Sequence, residues 1–170
     1  MSGHFLLADG TPALIRPIEP ADGPAVAKAF SLLSDETRQK RFLGPKPRLS
    51  ASELRYFTEV DGCDHFALIA VHGERPEWVL GVGRFVRDRE RPDTAEFAIV
   101  VGDAYQRQGL GHELSSRLVD AARPRGVRHF TAWTLSDNLA AERLIQSMSQ
   151  RLSYVGRGPG TREVILGLAA

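Results

Sequence analysis

The stretch of the chain best suited to chemistry is a glycine-containing turn, "AYQRQGLGHEL", at residues 104–114. It follows the apolar run "EFAIVV" (96–101) and precedes leucines spaced as on one face of a helix. A helix N-terminus carries unpaired N–H groups and about half a positive charge, and glycine lets a ligand approach the backbone closely. A strand that leads into a helix through such a turn predicts an anion site, most often for phosphate.

Three phosphate-binding motifs compete for this turn. A Walker A loop requires Lys and then Ser or Thr after its last glycine, whereas Gly111 precedes His112 and Glu113. A dinucleotide fingerprint requires a third glycine where Leu114 stands, and it also expects a parallel sheet. A pyrophosphate loop of the form Gln/Arg-x-x-Gly-x-Gly fits residues 106–111, and we favour it.

The elements that must position this turn follow the order β-α-α-α-β-β-β-α-β-α-β-β, which predicts an α+β (mixed α/β) fold. The predicted strands are 12–18, 65–71, 78–88, 94–101, 128–135, 152–157 and 162–168. The predicted helices are 20–33, 34–42, 50–60 and 109–123, with Asp22, Ser34 and Ser50 as N-caps of the first three. Asp137 caps the last predicted helix, whose apolar stripe is Ala141, Leu144, Ile145, Met148 and Leu152.

Composition and charge exclude several classes of function. The 170 residues suffice for a hydrophobic core, and we expect a single domain over residues 1–170. The net charge is +1 without a Lys/Arg run, so we expect no nucleic-acid partner. The chain has neither a signal-peptide pattern nor an apolar run near the roughly 20 residues that span a bilayer, so we expect no membrane partner. Cys63 is the single cysteine, which indicates a cytoplasmic protein.

One cluster has the residue types of a metal site. Asp61, Cys63, Asp64 and His65 stand together, but no second Cys/His cluster supplies further ligands, and the spacing matches no zinc pattern. We therefore expect a loop at this position and no metal.

The turn and its flanking elements resemble the GNAT superfamily of acyl-CoA-dependent N-acyltransferases. The likeness comprises the strand 94–101, Gly109 and Gly111 at a helix start, and the later pattern Asn138-x-x-Ala141-x-x-Leu144. It implies a mostly antiparallel twisted sheet of about seven strands with helices on both faces. Residues 9–26 and 30–42 also resemble the acetyltransferase domain of Pat-type bacterial protein lysine acetyltransferases, here as a stand-alone version.

The resemblance implies acetyl-CoA as co-substrate. Its pantetheine arm would lie along strand 94–101 like an added strand, with a backbone N–H polarising the thioester carbonyl. Its pyrophosphate would lie on the amides of 106–112. The residues implied in binding are Ile99, Val100, Val101, Gln106, Arg107, Gln108, Gly109, Leu110, Gly111, His112 and Asn138.

The resemblance also implies an amine acceptor, with a protein lysine favoured over a small-molecule amine. A free lysine has a pKa of about 10.4, so roughly one in 2,500 is neutral at pH 7, and a base helps. Glu96 is the candidate base, because family members carry a glutamate on this strand. A carboxylate among apolar residues is expected to have a raised pKa. The alternative is a polar residue on an outward strand face.

The general acid is not evident. Many family members have Tyr where Ile145 stands, and isoleucine cannot protonate the leaving thiolate. Tyr154 could reach in from the next strand as the acid, although packing within its strand explains a tyrosine at this position more simply. Because of Ile145, a non-catalytic acyl-CoA-binding or sensing domain stays open as an alternative function. A dinucleotide-binding module is a third hypothesis, and the missing third glycine argues against it.

Overall fold

The described part of the chain comprises residues 2–149, 151–156 and 160–168 of a computed structural model, and it contains eight strands, five α-helices and three short 3-10 helices. The strands are β1 (Gly3–Leu6), β2 (Pro12–Pro17), β3 (His65–His72), β4 (Arg75–Arg87), β5 (Thr94–Val101), β6 (His129–Leu135), β7 (Leu152–Gly156) and β8 (Thr161–Gly167). The helices are α1 (Gly23–Leu32), α2 (Asp35–Phe42), α3 (Ala51–Thr58), α4 (Leu110–Ala122) and α5 (Leu139–Met148). In this part of the chain, no helix has the length and apolar character that crossing a membrane requires.

One sheet contains all eight strands in the order β1-β2-β3-β4-β5-β6-β8-β7. Neighbouring strands are antiparallel except β5 and β6, which are parallel. The predicted fold class is confirmed. The expected count of about seven strands omitted β1, because this four-residue strand at the sheet edge is defined by its pairing with β2 rather than by its own sequence.

The helices cover both faces of the sheet, as expected. Under α4 and α5, the buried side chains include Leu110, Leu114, Leu118, Phe97, Phe130 and Ile145. On the other face, which α1 and α3 cover, they include Ile18, Val26, Ile69 and Val82. Alternate residues of each central strand therefore contribute to two separate cores.

The N-caps of the first three helices are only partly as predicted. The Ser34 hydroxyl caps α2, and Ser50 forms a reciprocal capping box with Glu53 at α3. Asp22 occupies the N-cap position of α1 without capping it, because its carboxylate pairs with Arg16 at 2.7 Å.

The start of α5 lies one residue later than predicted. Its N-cap is Asn138, whose side-chain oxygen accepts the N–H of Ala141 at 3.1 Å, and not Asp137. Leu152, which the apolar spacing predicts on the stripe of this helix, begins β7 instead. The predicted end of that strand at residue 157 lies outside the described residues.

Candidate active site

Strands β5 and β6 separate halfway along their length and leave a gap. They pair at three positions, the last of which joins Glu96 to Thr131. The N–H of Gly102 donates to the Leu80 carbonyl of β4 at 2.9 Å, which fixes the direction of the alternating backbone groups along β5. Beyond the last paired position, the backbone N–H and C=O groups that consequently face the gap are those of Ile99 and Val101.

Two of the three strand residues predicted to hold the pantetheine arm face this gap. Ile99 and Val101 can pair with an extended polar chain as an added strand would. The Val101 carbonyl accepts a hydrogen bond from Gln106 Nε2 at 3.2 Å, which leaves its N–H for a ligand. The backbone of Val100 points the other way, because its carbonyl faces β4 and lies 3.0 Å from the position of a Cβ on Gly81. The Val100 side chain lies on the sheet face opposite to the side chains of Ile99 and Val101.

The predicted phosphate turn begins α4 with free N–H groups. Gly109 is the N-cap residue, and its φ of 87° is one that glycine adopts without strain. Within the described residues, the N–H groups of 107–112 donate to no protein acceptor. Helix α4, 13 residues long, adds the positive end of its dipole. These free donors fit an anion such as a pyrophosphate.

The hairpin of β1 and β2 contacts this turn and helps to hold it in place. The Gln108 carbonyl accepts the N–H of Ala8 at 3.2 Å. The ring of Phe5 lies 3.4 Å from the position of a Cβ on Gly109. Sequence reasoning missed this support, since about a hundred residues separate its two sides and no local pattern indicates it.

A second support ties the turn to the start of α2. Gln106 Nε2 donates to Thr37 Oγ1 at 3.2 Å, and Asp103 accepts hydrogen bonds from the Ser34 N–H at 2.9 Å and from Thr37 Oγ1 at 2.7 Å. Burial raises the pKa of the Asp103 carboxyl, but the hydrogen bonds from Ser34 and Thr37 outweigh it and hold the pKa below its usual value. Asp103 was not identified from the sequence.

The remaining predicted residues surround the turn. Arg107 is exposed and has a φ of 58°, while the Leu110 side chain is buried in the core. His112 Nδ1 lies 3.3 Å from Ser147 Oγ and links α4 to α5. Asn138 uses its oxygen as the cap of α5, which leaves its amide N–H groups for a ligand.

A groove of about 320 Å³ opens on the face of the sheet that α1, α2 and α3 cover. This volume is that of a small-molecule or side-chain pocket. Its lining is mostly apolar and includes Phe30, Phe42, Phe57, Trp78, Val82 and Val100. Its charged residues are Arg41, Arg84 and Asp103. The Val100 side chain lines this groove while its neighbours Ile99 and Val101 face the gap, so the two sites meet across β5.

Glu96 lies on the groove side of β5, at the last position where β5 and β6 pair. The expectation that apolar residues surround its carboxylate is wrong, because Glu96 is exposed. Burial lowers the pKa of Arg41 on α2, and the charges of Glu96 and Tyr56 oppose that effect. The Glu96 carboxylate is therefore close enough to Arg41 for the two charges to interact. It has no hydrogen-bond partner among the described residues.

The structure places the two positions considered for the general acid, Ile145 and Tyr154, in different environments. Ile145 is 3% exposed and belongs to the core. Tyr154 is half exposed on β7, and β8 separates this strand from β6. Its side chain nevertheless lines a small cavity together with Ile145 and with Thr134 and Leu135 of β6.

The cluster at residues 61–65 forms a turn. The Asp61 carboxylate accepts the N–H groups of Cys63 and His65 at 2.7 and 2.9 Å. Among the described residues, no three His, Cys, Asp or Glu side chains are grouped as metal ligands.

Comparisons with known proteins match most of the chain. The acetyltransferase (GNAT) family matches residues 29–149. Acetyltransferase Pat of Mycolicibacterium smegmatis is 34% identical over 134 residues, which are 79% of this chain but only 40% of that relative. Acetyltransferase PA5475 of Pseudomonas aeruginosa is 31% identical over 152 residues, 89% of this chain and 79% of that protein. The crystal structure of the GNAT domain of S. lividans PAT superposes with a TM-score of 0.87 at 28% identity, covering 98% of this chain and 97% of that domain.

These matches agree with the geometry. The free edge of β5 and the open N–H groups at the start of α4 lie within the matched residues. The chain belongs to the acetyltransferase (GNAT) family.

Proposed function

We propose that the chain transfers the acetyl group of acetyl-CoA to the amine of a protein lysine, with Glu96 as general base. One observation carries this proposal: Glu96 stands where β5 and β6 separate, and its charge acts on Arg41, which lines the groove. The likeness of residues 9–26 and 30–42 to Pat-type protein lysine acetyltransferases supports lysine as the acceptor.

The donor occupies the gap in this proposal. Its pyrophosphate accepts hydrogen bonds from the N–H groups of 107–112, and Asn138 contributes its side-chain amide. Its pantetheine arm pairs with the backbone of Ile99 and Val101. One free N–H on this edge donates to the thioester oxygen and stabilises the negative charge that develops during attack.

The acceptor approaches through the groove. Glu96 takes a proton from the lysine ammonium, directly or through a water, and the neutral nitrogen attacks the thioester carbon. The C–N bond forms, the C–S bond breaks, CoA leaves as a thiolate, and the nitrogen loses its second proton to a water. A thiol of pKa about 8.5 is a tolerable leaving group, so the thiolate takes its proton from water and the Ile145 position needs no acid.

A small-molecule amine is the second candidate acceptor. The observation that favours it is the size of the groove, about 320 Å³, which encloses a small ligand as readily as a lysine side chain. We also propose a cytoplasmic location, since Cys63 is an exposed free thiol.

Thiol release tests this proposal. We would mix the protein with acetyl-CoA and either lysine-bearing proteins or small amines, and compare wild type with Glu96→Gln. Glu77→Gln, an exposed glutamate on β4, is the matched control. We expect lysine-dependent release that Glu96→Gln lowers about 100-fold and Glu77→Gln leaves unchanged. Release with small amines alone would contradict the lysine acceptor, and an unimpaired Glu96→Gln variant would contradict the base.

A further inference from the structure

We propose that the acceptor carries a carboxylate near its reactive amine, and that Arg84 and Arg41 in the groove bind this carboxylate. The inference rests on the proposed function only in taking the groove as the acceptor site. It adds the charge and the chemical class of the group that accompanies the amine.

Arg84 is a buried cation without an acidic partner among the residues that the structure describes. Its side chain is on β4, and the residue is 6% exposed. Nη2 donates to the Phe57 carbonyl at 3.2 Å, Nη1 lies 3.1 Å from His65 Nε2, and the guanidinium lies 4.4 Å from the centre of the Phe57 ring. These partners are neutral. No Asp or Glu oxygen of the described residues lies within 4.0 Å of the guanidinium.

Arg41 brings a second positive charge to the same groove. It lies on α2 and is half-buried, and its guanidinium has no hydrogen-bond or ion-pair partner among the described residues. Burial, followed by the charge of Arg41, lowers the pKa of Arg84 to about 9. The two cations are therefore close enough to repel each other, and Arg84, with a pKa of about 9, remains protonated at pH 7.

Two neighbouring cations in an apolar groove form an arrangement that an anion stabilises. A buried charge is costly unless it is paired. The guanidinium group matches a carboxylate with two parallel hydrogen bonds. The third charged residue of the groove, Asp103, already accepts hydrogen bonds from Ser34 and Thr37. The remaining acidic group that faces Arg41 is Glu96, which the proposed function assigns to the amine.

The distance between Arg84 and Glu96 limits how far the carboxylate of the acceptor can lie from its amine. Arg84 is opposite Ala98 on β5, and Glu96 is two residues further along the same face. Such diagonal neighbours lie about 7–8 Å apart. The carboxylate of the acceptor consequently lies only a few bonds from its amine. Two sources meet this condition: an acidic residue beside a lysine in a protein segment, or the α-carboxylate of a free amino acid.

Acceptor binding to the CoA-saturated protein tests the inference, because calorimetry does not need turnover. One pair of probes is a lysine peptide flanked by Glu and the same peptide flanked by Gln. The other pair is free lysine and lysinamide. The variants are Arg84→Gln and Arg41→Gln, and Arg89→Gln, an exposed arginine in the turn after β4, is the control. Arg41→Gln removes no hydrogen bond within the described residues, so it stays informative if Arg84→Gln fails to fold.

We expect at least one carboxylate probe to bind tenfold or more tightly than its amide counterpart. The pair with the larger ratio identifies the source of the carboxylate. Arg41→Gln and Arg84→Gln should bring that ratio close to one, while Arg89→Gln should preserve it. Equal binding within both pairs, or a ratio that survives loss of either groove arginine, would overturn the inference. If the ratios are as expected but no probe is acetylated, the carboxylate site stands and the proposed reaction fails.

Discussion

Arg84 Nη1 lies 3.1 Å from Nε2 of His65, and this contact fixes the protonation state of the imidazole. A guanidinium only donates hydrogen bonds, so His65 accepts through Nε2 and its ring is neutral. Burial and then the charge of Arg84 lower the pKa of His65 to about 4, while Asp61 opposes them. The neutral His65 therefore accepts a hydrogen bond from the Arg84 guanidinium without neutralising its positive charge.

His65 should make the fold sensitive to mild acid. Between its unfolded pKa of 6.5 and its folded pKa of about 4, the unfolded chain binds a proton that the native chain does not. The stabilisation from neutral His65 is therefore complete above pH 6.5 and is lost as the pH falls towards 4. Discounted for partial exposure, the loss is about 1–2 kcal/mol.

The measurement is denaturant unfolding of wild type and His65→Gln from pH 7.5 to pH 4. Glutamine keeps an acceptor for Arg84 but does not titrate. The difference in unfolding free energy between the two proteins should be constant above pH 6.5 and should shift in favour of the variant below it. A difference that is independent of pH would show that His65 keeps an ordinary pKa.

Asp103 should stabilise the junction between the phosphate turn and α2. Its carboxylate accepts both the N–H and the hydroxyl of Ser34, together with the Thr37 hydroxyl. Asp103→Ala should therefore lower the free energy of unfolding by about 1–2 kcal/mol at pH 7, and Asp103→Asn by less. Because the pKa of Asp103 is lowered in the fold, the penalty should shrink as the pH falls below 3.8. An Asp103→Ala protein as stable as wild type would argue against this link.

Adjacent residues at the start of α5 provide an internal comparison. Asn138→Ala removes the acceptor for the Ala141 N–H and should cost about 1 kcal/mol of stability. Asp137→Ala should cost only a few tenths of that, because Asp137 is exposed and does not cap the helix. Thermal unfolding of both variants measures this difference, and equal losses would place the cap at Asp137 after all.

Local chemistry explains what could be predicted from the sequence. Glycine at 109, the apolar strand before it and the leucine spacing after it define a helix start with open N–H groups, whatever the rest of the chain does. The alternation of side chains between the two faces of β5 can also be predicted from the sequence, and it places Val100 on the face opposite to Ile99 and Val101. Its consequence, that Val100 belongs to the groove and not to the gap, follows only once β4 is known to pair on that side.

Long-range contacts explain what was missed. Strand β1 exists through its pairing with β2, and it reaches the turn through Phe5 and Ala8. Arg41 and Arg84 come from a helix and a strand 43 residues apart, so no sequence pattern brings their charges together. The exposure of Glu96 depends on where β6 leaves β5, which its apolar neighbours in the sequence do not reveal.

The central claim is that the turn at 107–112 holds the pyrophosphate of acetyl-CoA, and calorimetric titration with acetyl-CoA tests it most directly. Gly109→Trp fills the space in front of the free N–H groups. Gly126→Trp is the control, because Gly126 has a similar φ of 78°, has open space around it and lies at the other end of α4. We predict that wild type and Gly126→Trp bind acetyl-CoA with similar affinity and that Gly109→Trp loses binding by at least 100-fold while remaining folded. Binding by Gly109→Trp at wild-type affinity would contradict the claim.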